Sequence, residues 1–488
     1  MADTSITEAP EPMLDIDRHL KYWKMCLQAP LPTHYLPNEG VRMTLAYFIV
    51  NSIRILEGGT SSTPENKRPP LIPPQDHRRL RQWILSHQQP GGGFAPSSTL
   101  LYPSQGSQAW EPETGAEERE GAGLANLPAT LFALQLLALL ADDDDDDDDN
   151  GRGGARSAFD GVDRVQTLRW LRRLQRPDGS FGEVLKLLPG KGWFVGGGYD
   201  MRYCYIAASV RWMLRGDVKE GEEGWVEDID TQALTRYILS SQTYDGGFAG
   251  SSQEEPHAGY AYCAIAALSL LDRPLTNSTA FHPNAILRSG IRNMPGLIHW
   301  LASRQFVYLE PPPPSQQEGG DNEDEDEDNF LLPANPADLA NAPASALRHV
   351  ACNGRCNKVA DTCYTWWVGA ALANLGHKEV LDWAPSRRFL LEKMAHRIGG
   401  FSKHPGGPPD VYHSCFGLAA LAVMGEPGLA EFDSALAVPV ATVRVIEKAR
   451  DALLERTRGK GAELVKGAVE MGLAMNGSKP TWLCTGEI

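Results

Sequence analysis

One short pattern recurs along this chain and limits its fold more than any other feature: a helix end, a glycine turn and a phenylalanine. It reads SHQQPGGGF ending at Phe94, RLQRPDGSFG with Phe181, SSQTYDGGF ending at Phe248, and AHRIGGF ending at Phe401. The first three share a glutamine before the turn (Gln88, Gln175, Gln242), and a further helix end at Trp300–Gln305 fits the series before running into a long insert. The spacings are uneven, 87 residues from Phe94 to Phe181 and 67 from Phe181 to Phe248, as expected when loops are inserted between units. Glycines after a helix supply a left-handed cap, and the Phe can plug a gap between neighbours. Each unit then reads as an outer helix, a turn and an inner helix. Stacked helix pairs bury a continuous core, so the units form one domain.

The flanking segments agree. VRMTLAYFIVNSIRIL (41–56), RRLRQWILSHQ (78–88), RVQTLRWLRRLQ (164–175), YCYIAASVRWML (203–214) and CYTWWVGAALANL (363–375) carry apolar residues at helical spacing. Sustained period-2 alternation is missing, and the pattern predicts an all-α chain of roughly a dozen helices. Three segments read as unstructured: 1–12, 142–157 and 309–346. The last two hold acidic runs, Asp142 to Asp149 and the eight carboxylates from Glu318 to Asp328, which together supply the whole formal charge of −16. The remaining body is neutral, so no basic field points to nucleic acid. Eight consecutive aspartates cannot select one helix face, so they read as a solvated loop and not as a magnesium–diphosphate site.

The eight cysteines are widely scattered, which reads as free thiols or ligands in a cytoplasmic protein. No signal peptide is visible at the N-terminus. The most apolar stretch, Leu127 to Ala141, is 15 residues long and reads as a buried helix, not a membrane span.

The order of the units brings chemistry to one rim. Residues 9–12 places after each Phe lie near the starts of inner helices; His257 is 9 after Phe248 and His413 is 12 after Phe401. Asp361 and Cys363 open the helix DTCYTWWVGAAL, after the basic loop GRCNK. A carboxylate, a thiol and an imidazole form a plausible zinc set with an open fourth position. By pattern alone the signal is weak: a lone D-x-C with a distant His is usually an N-cap, a core thiol and a satisfied surface histidine. Arg355, Lys358 and Tyr364 flank the same helix start and Arg202 opens another inner helix, either an anion site or ordinary solvated charge.

GRCNKVADTCYTWW, PHAGYAYCAIAALSLL, GGFSKHPGGPPDVYHSCFGL and HLKYWKMCLQ…VRMTLAYF together resemble the β subunits of protein prenyltransferases, over about residues 15–440 apart from the inserts. The resemblance implies an α-α barrel, a toroid of about six inner and six outer helices over 13–440, followed by a helical tail over 441–488. It implies a heterodimer with a helical-repeat α subunit, a zinc ion on Asp361, Cys363 and His413, and transfer of an isoprenoid from its diphosphate to the thiol of a C-terminal CaaX cysteine. His257, Arg355, Lys358 and Tyr364 would hold the diphosphate, Arg202 and Tyr412 would border the peptide, and Thr44, Tyr260 and Trp367 would line the lipid funnel.

Two positions look like the type I geranylgeranyl branch. Thr44 stands where farnesyltransferases carry a space-filling Trp. Lys403 stands where they carry a magnesium-binding Asp, so the resemblance implies that magnesium is not required, Lys403 adding to the positive charge of Arg355, Lys358 and His257. The lipid would be geranylgeranyl diphosphate, and the protein substrates small GTPases of the Rho/Rap type, often ending in Leu. Tyr412 looks farnesyltransferase-like, and Asn126 stands where the family often has His near the last peptide residue. The alternatives are a farnesyltransferase β subunit, a Rab-type β subunit, a terpene cyclase of the same barrel type, and a non-catalytic scaffold.

Overall fold

The computed structural model describes residues 10–59, 69–100, 125–141, 154–188, 191–275, 284–309, 336–343 and 347–474. Both acidic runs, 142–149 and 318–328, lie outside the described residues, as do residues 1–9. Six helices form an inner ring: α2 (Arg42–Gly58), α4 (Leu127–Leu139), α6 (Met201–Leu214), α8 (Ala258–Asp272), α12 (Thr362–Leu375) and α14 (Val411–Met424). Each packs on the next and α14 packs on α2, so the ring closes. Each inner helix is backed by the outer helix that precedes it: α1 (Ile16–Gln28), α3 (Pro74–Leu85), α5 (Arg164–Arg173), α7 (Thr231–Ser240), α10 (Met294–Ala302), and α13 (Trp383–Arg388) with its π-helical continuation Phe389–Met394. This is the expected toroid of six and six.

Composition sorts the two rings. Inner helices such as LPATLFALQLLAL are apolar on every side and buried throughout most of their length, while outer helices such as PQDHRRLRQWIL bury one stripe and keep charge outside. Asp163, Asp230 and Asn293 accept backbone N–H groups at the starts of α5, α7 and α10, which sets where those helices begin. Short helices α9 (Ala285–Ser289) and α11 (Pro336–Asn341) lie between units.

The recurring turn has a single geometry. Gln88 bridges Phe94, Gln175 bridges Phe181, Gln242 bridges Phe248 and Ala395 bridges Phe401, each as an isolated antiparallel pair, and all four Phe rings are fully buried. The glutamine does more than end its helix. Its amide oxygen accepts the N–H of the residue capping the next outer helix, from Gln88 to Asp163 (2.8 Å), Gln175 to Asp230 (2.7 Å), Gln242 to Asn293 (3.0 Å) and Gln305 to Asp382 (3.0 Å). Gln305 therefore belongs to the series. Glycine is required at the tip because the next outer helix lies against it: at Gly246 (φ +99°) a Cβ would stand 2.4 Å from the Gly296 carbonyl carbon. At the closing junction the last unit meets the first through His19, whose Nδ1 accepts the Gly400 N–H (3.1 Å) while its ring stacks on Phe401.

The structure departs from expectation in four places. Among the described residues, three antiparallel ribbons interrupt the helices: β1 (Val184–Leu188) with β2 (Gly192–Gly196), β3 (Gln305–Tyr308) with β4 (His349–Cys352), and β5 (Phe432–Asp433) with β6 (Val438–Pro439). Their alternation is too short to read from sequence. Residues 154–157, expected to be loose, form a turn that packs on the C-terminal helix α15 (Val440–Ala474), and residues 336–341 of the expected 309–346 loop are helical. Glu11, placed in the tail, pairs with Arg388 at 2.8 Å. The helical tail expected over 441–488 is described to residue 474 as α15, in which Val445, Ile446, Ala449 and Arg450 are buried and which packs on α4 and α6.

The segment Ser434–Ala437, between β5 and β6, closes one end of the inner ring. Gln135 of α4 donates to the Leu436 carbonyl (2.7 Å), and Tyr47 and Asn51 of α2 donate to that of Ala437 (2.5 and 3.0 Å). Ala435 and Leu436 are buried. The ring is thus a well with one floor and one mouth.

Candidate active site

The mouth is ringed by the N-termini of the inner helices, and their capping residues are the functional candidates. Asp361 caps α12, its Oδ1 accepting the Cys363 N–H at 2.8 Å. Asp410 caps α14 by accepting the His413 N–H, also at 2.8 Å. These two caps bring Asp361, Cys363 and His413 together: one ligand atom from each lies within 4.8 Å of the others, and all three side chains are largely buried. His413 Nε2 stands 3.9 Å from Asp361 Oδ2. The other carboxyl oxygen of Asp410 is 2.6 Å from His413 Nδ1, which places the ring proton on Nδ1 and leaves the Nε2 lone pair facing Asp361.

This donor set fits a divalent cation. Zinc takes thiolate, imidazole and carboxylate at roughly 2.0–2.3 Å, so three such atoms within 4.8 Å of one another need only modest side-chain movement to surround one ion. The electrostatics point the same way: burial and the Asp361 carboxylate push the Cys363 thiol well above its ordinary value, a cost that a cation in the site reverses. Asp410, which orients the imidazole, was not singled out from sequence; its signal is an Asp three residues before a His at a helix start.

A second cluster lies beside the first. The GRCNK loop is tied to α8 by the Ala258 N–H donating to the Gly354 carbonyl (2.8 Å), and the Asn353 side chain holds its other side through Lys358 O (3.0 Å). Gly354 has no side chain for a reason: a Cβ there would be 2.2 Å from the Tyr364 ring. Lys358 is exposed, and Arg355 pairs with Glu255 at 2.7 Å. His257 accepts the Gly259 N–H on Nδ1 (2.9 Å), so its proton sits on Nε2, 3.2 Å from the Tyr364 hydroxyl. Burial, and then Arg355, lower His257 to about 4. This corrects one expectation: at neutral pH His257 is an N–H donor and not a third fixed cation. Burial raises the Tyr364 hydroxyl, which stays protonated and free to donate.

The remaining candidates divide between the mouth and the wall. Arg202, at the start of α6, is held by a bidentate bond to Asp200 (2.6 Å at the shorter contact), and Tyr260 packs against His257 at the rim, not deep in the well. Trp367 lies deeper, against Tyr262 and Phe416. Thr44, Phe48, Lys403, Tyr412 and His413 line one cavity of about 570 Å³, so Thr44 and Lys403 share a space that reaches the Asp361–Cys363–His413 cluster. Asn126 caps α4 through Ala129 N. Sequence reasoning missed most of the aromatic wall: Tyr47 stacks on Phe132 at 4.6 Å, Phe48 meets Tyr412 edge-on at 5.6 Å, and Tyr205 meets Tyr262 at 5.5 Å. Their inner-helix positions were visible, but all-apolar helices give no hint of which side faces a cavity.

A family profile, that of the prenyltransferase alpha-alpha toroid domain, matches residues 14–438. The chain belongs to this family. Among prenyltransferase relatives, the geranylgeranyl transferase type-1 subunit beta of Arabidopsis thaliana is 28% identical over 443 residues, covering 89% of this chain and 92% of its own. The protein farnesyltransferase subunit beta of Pyricularia oryzae is 28% identical over 282 residues, 53% of this chain and 43% of its own. The fold is that of a solved Candida albicans protein geranylgeranyltransferase-I complexed with GGPP, with a TM-score of 0.62 at 21% identity, covering 90% of this chain and 99% of that one. The toroid resemblance read from the motifs is thus borne out. Among the described residues no helix is long and apolar enough to cross a membrane.

Proposed function

We propose that this chain is the catalytic β subunit of a cytoplasmic type I protein geranylgeranyltransferase, acting with an α subunit on CaaX proteins of the Rho/Rap type. The observation that carries the proposal is the adjacency of two clusters at the mouth of an aromatic well: the Asp361–Cys363–His413 donors and the Arg355–Lys358–Tyr364–His257 group. One suits a thiol nucleophile and the other a diphosphate leaving group.

A zinc ion on the first cluster would supply the Lewis acidity that keeps a bound cysteine as thiolate near neutral pH. The chain's own residues do the rest. Asp410 fixes the His413 ring, and Tyr412 and Phe48 crowd the approach so that the thiol and lipid C1 meet in a water-poor space. As the C1–O bond breaks, negative charge grows on the diphosphate. Lys358 meets it directly, Arg355 after exchanging Glu255 for phosphate, and Tyr364 donates its hydroxyl proton while its oxygen accepts from His257. Lys403, exposed on the shared cavity, supplies a fixed positive charge in the role a magnesium ion would otherwise fill. The lipid tail lies along the aromatic wall, where Thr44 leaves space for a fourth isoprene unit.

The test is competition between farnesyl and geranylgeranyl diphosphates on the purified heterodimer, with magnesium removed by chelation. Preference for the 20-carbon donor without magnesium is expected, and Lys403→Asp should make the enzyme magnesium-dependent. A wild-type enzyme that prefers the 15-carbon donor and stops without magnesium would move the assignment to a farnesyltransferase.

A further inference from the structure

Arg304 is a buried cation that no carboxylate among the described residues neutralises. Its side chain is 5% exposed, at the start of the β3–β4 ribbon, and its guanidinium stacks over Trp300 at 4.7 Å. Nε donates to the Trp300 carbonyl (3.2 Å), Nη2 makes a long contact with Ser303 Oγ (3.4 Å), and Nη1 is buried with no hydrogen-bond partner. No carboxylate pairs with it among the described residues. A buried guanidinium without an anion is unfavourable, and the group able to become one lies in contact: Nη2 points at the sulfur of Cys356, 3.1 Å away. Cys356 is exposed, whereas Cys204, Cys263, Cys352, Cys363 and Cys415 are buried and Cys26 is half-buried. It sits in GRCNK between Arg355 and Lys358.

We propose that Cys356 is a covalent modification site, a thiol that Arg304 makes reactive toward electrophiles and hydroperoxides. A cation beside a solvent-accessible sulfur favours the thiolate, which is the nucleophile in every such reaction. With a hydroperoxide, the Cys356 thiolate attacks the terminal oxygen and the O–O bond breaks. The sulfur is oxidised by two electrons to sulfenic acid, and the peroxide is reduced to alkoxide or hydroxide, which takes a proton from water. A small cellular thiol then displaces the sulfenic oxygen as water and leaves a mixed disulfide, which reduction reverses. Resting on the diphosphate assignment above, such an adduct stands between the two cations of the diphosphate loop and blocks the lipid diphosphate while leaving the buried Cys363 untouched.

Brief iodoacetamide labelling of the heterodimer at neutral pH, read by mass spectrometry of the GRCNK peptide, tests the reactivity without any activity assay. Cys356 should label about tenfold or more faster than free cysteine, and Arg304→Gln should remove that excess. Arg304→Lys, which keeps a charge, should retain part of it; melting curves show whether either variant is folded. Wild-type labelling no faster than free cysteine overturns the inference whatever the variants do, as does unchanged labelling in a folded Arg304→Gln. After hydroperoxide and glutathione, Cys356→Ser should keep its own starting activity while wild type loses most of its activity, with the loss falling on KM for geranylgeranyl diphosphate. Equal losses in both overturn the regulatory role. Geranylgeranyl diphosphate or inorganic pyrophosphate should protect Cys356 from label; fast labelling without protection upholds the reactive thiol and counts instead against the diphosphate assignment.

Discussion

Asp410 is the sharpest point at which to perturb the proposed zinc site, because it does two separable jobs with its two oxygens. Oδ1 caps α14 through the His413 N–H, and Oδ2 holds His413 Nδ1 at 2.6 Å. Asp410→Asn keeps the cap, since an amide oxygen accepts a backbone N–H as well as a carboxylate does. It turns an NH2 toward the ring N–H, so the two donors oppose each other and the tautomer that presents the Nε2 lone pair toward Asp361 is no longer favoured. Both groups are mostly shielded, the side chains being 28% and 11% exposed, so the charge-assisted bond is weakly screened. Loss of such a partner weakens metal affinity by about 10–100-fold, or about 1.4–2.7 kcal/mol. Asp410→Ala should lose the same affinity and in addition about 1 kcal/mol of fold stability, because the cap goes too. Zinc affinity is read by competition with a chromogenic chelator, and stability by thermal unfolding of the metal-free protein. An Asp410→Asn variant that binds zinc as tightly as wild type would refute the orienting role. Equal melting of the Asn and Ala variants would refute the division of labour between the two oxygens.

Further outcomes follow from other sites. Burial lowers His19 to about 4, so the unfolded chain takes up a proton below its ordinary value of 6.5 before the folded chain does; stability should decline as pH falls from about 6.5 to 4, and His19→Gln should flatten that slope in a melting series. Gly246→Ala should cost well over the roughly 1 kcal/mol of a left-handed alanine, because its Cβ meets the Gly296 backbone, whereas Gly192→Ala (φ +78°, open space) should cost about that amount alone; equal costs in urea titrations would remove the close-packing argument. Thr44→Trp should fill the cavity shared with Phe48 and Tyr412 and shift choice toward the 15-carbon donor by about 1–3 kcal/mol of overpacking, so unchanged geranylgeranyl use in a two-donor assay would show that Thr44 does not border the lipid.

What the sequence revealed depended on whether a residue's job was local. The Gln–turn–Phe frames were legible because a turn, a cap and a plug need fixed residue types at fixed spacing, and the same clasp recurs at Gln88, Gln175, Gln242 and Gln305. The ligand candidates were legible because Asp361 and Cys363 share one helix start. The spacing of His413 from Phe401 places it at the same rim, but its meeting with Asp361 and Cys363 depends on the packing of α12 on α14, a long-range fact. For the same reason the uncharged state of His257 was invisible: it follows from burial and from a hydrogen bond to Gly259 that fixes the tautomer. The short ribbons stayed hidden because two to five residues of alternation do not stand out from background.

Closure of the inner ring has a consequence in time. An open solenoid can settle repeat by repeat, with a polar capping unit at each end. Here the first unit serves as the cap of the last, and α2 must wait for α14, more than 350 residues later, to cover its second flank. The floor arrives later still, with Ser434–Ala437. Contacts this distant in sequence come late in folding, because chain entropy must be lost before they form. On the ribosome, the growing chain therefore holds an unsealed, apolar trough until nearly all of it has emerged, and needs either speed or a chaperone during that interval. A chain cut short anywhere before about residue 430 would present that trough permanently, so truncation should yield an aggregation-prone fragment and not a weakened enzyme.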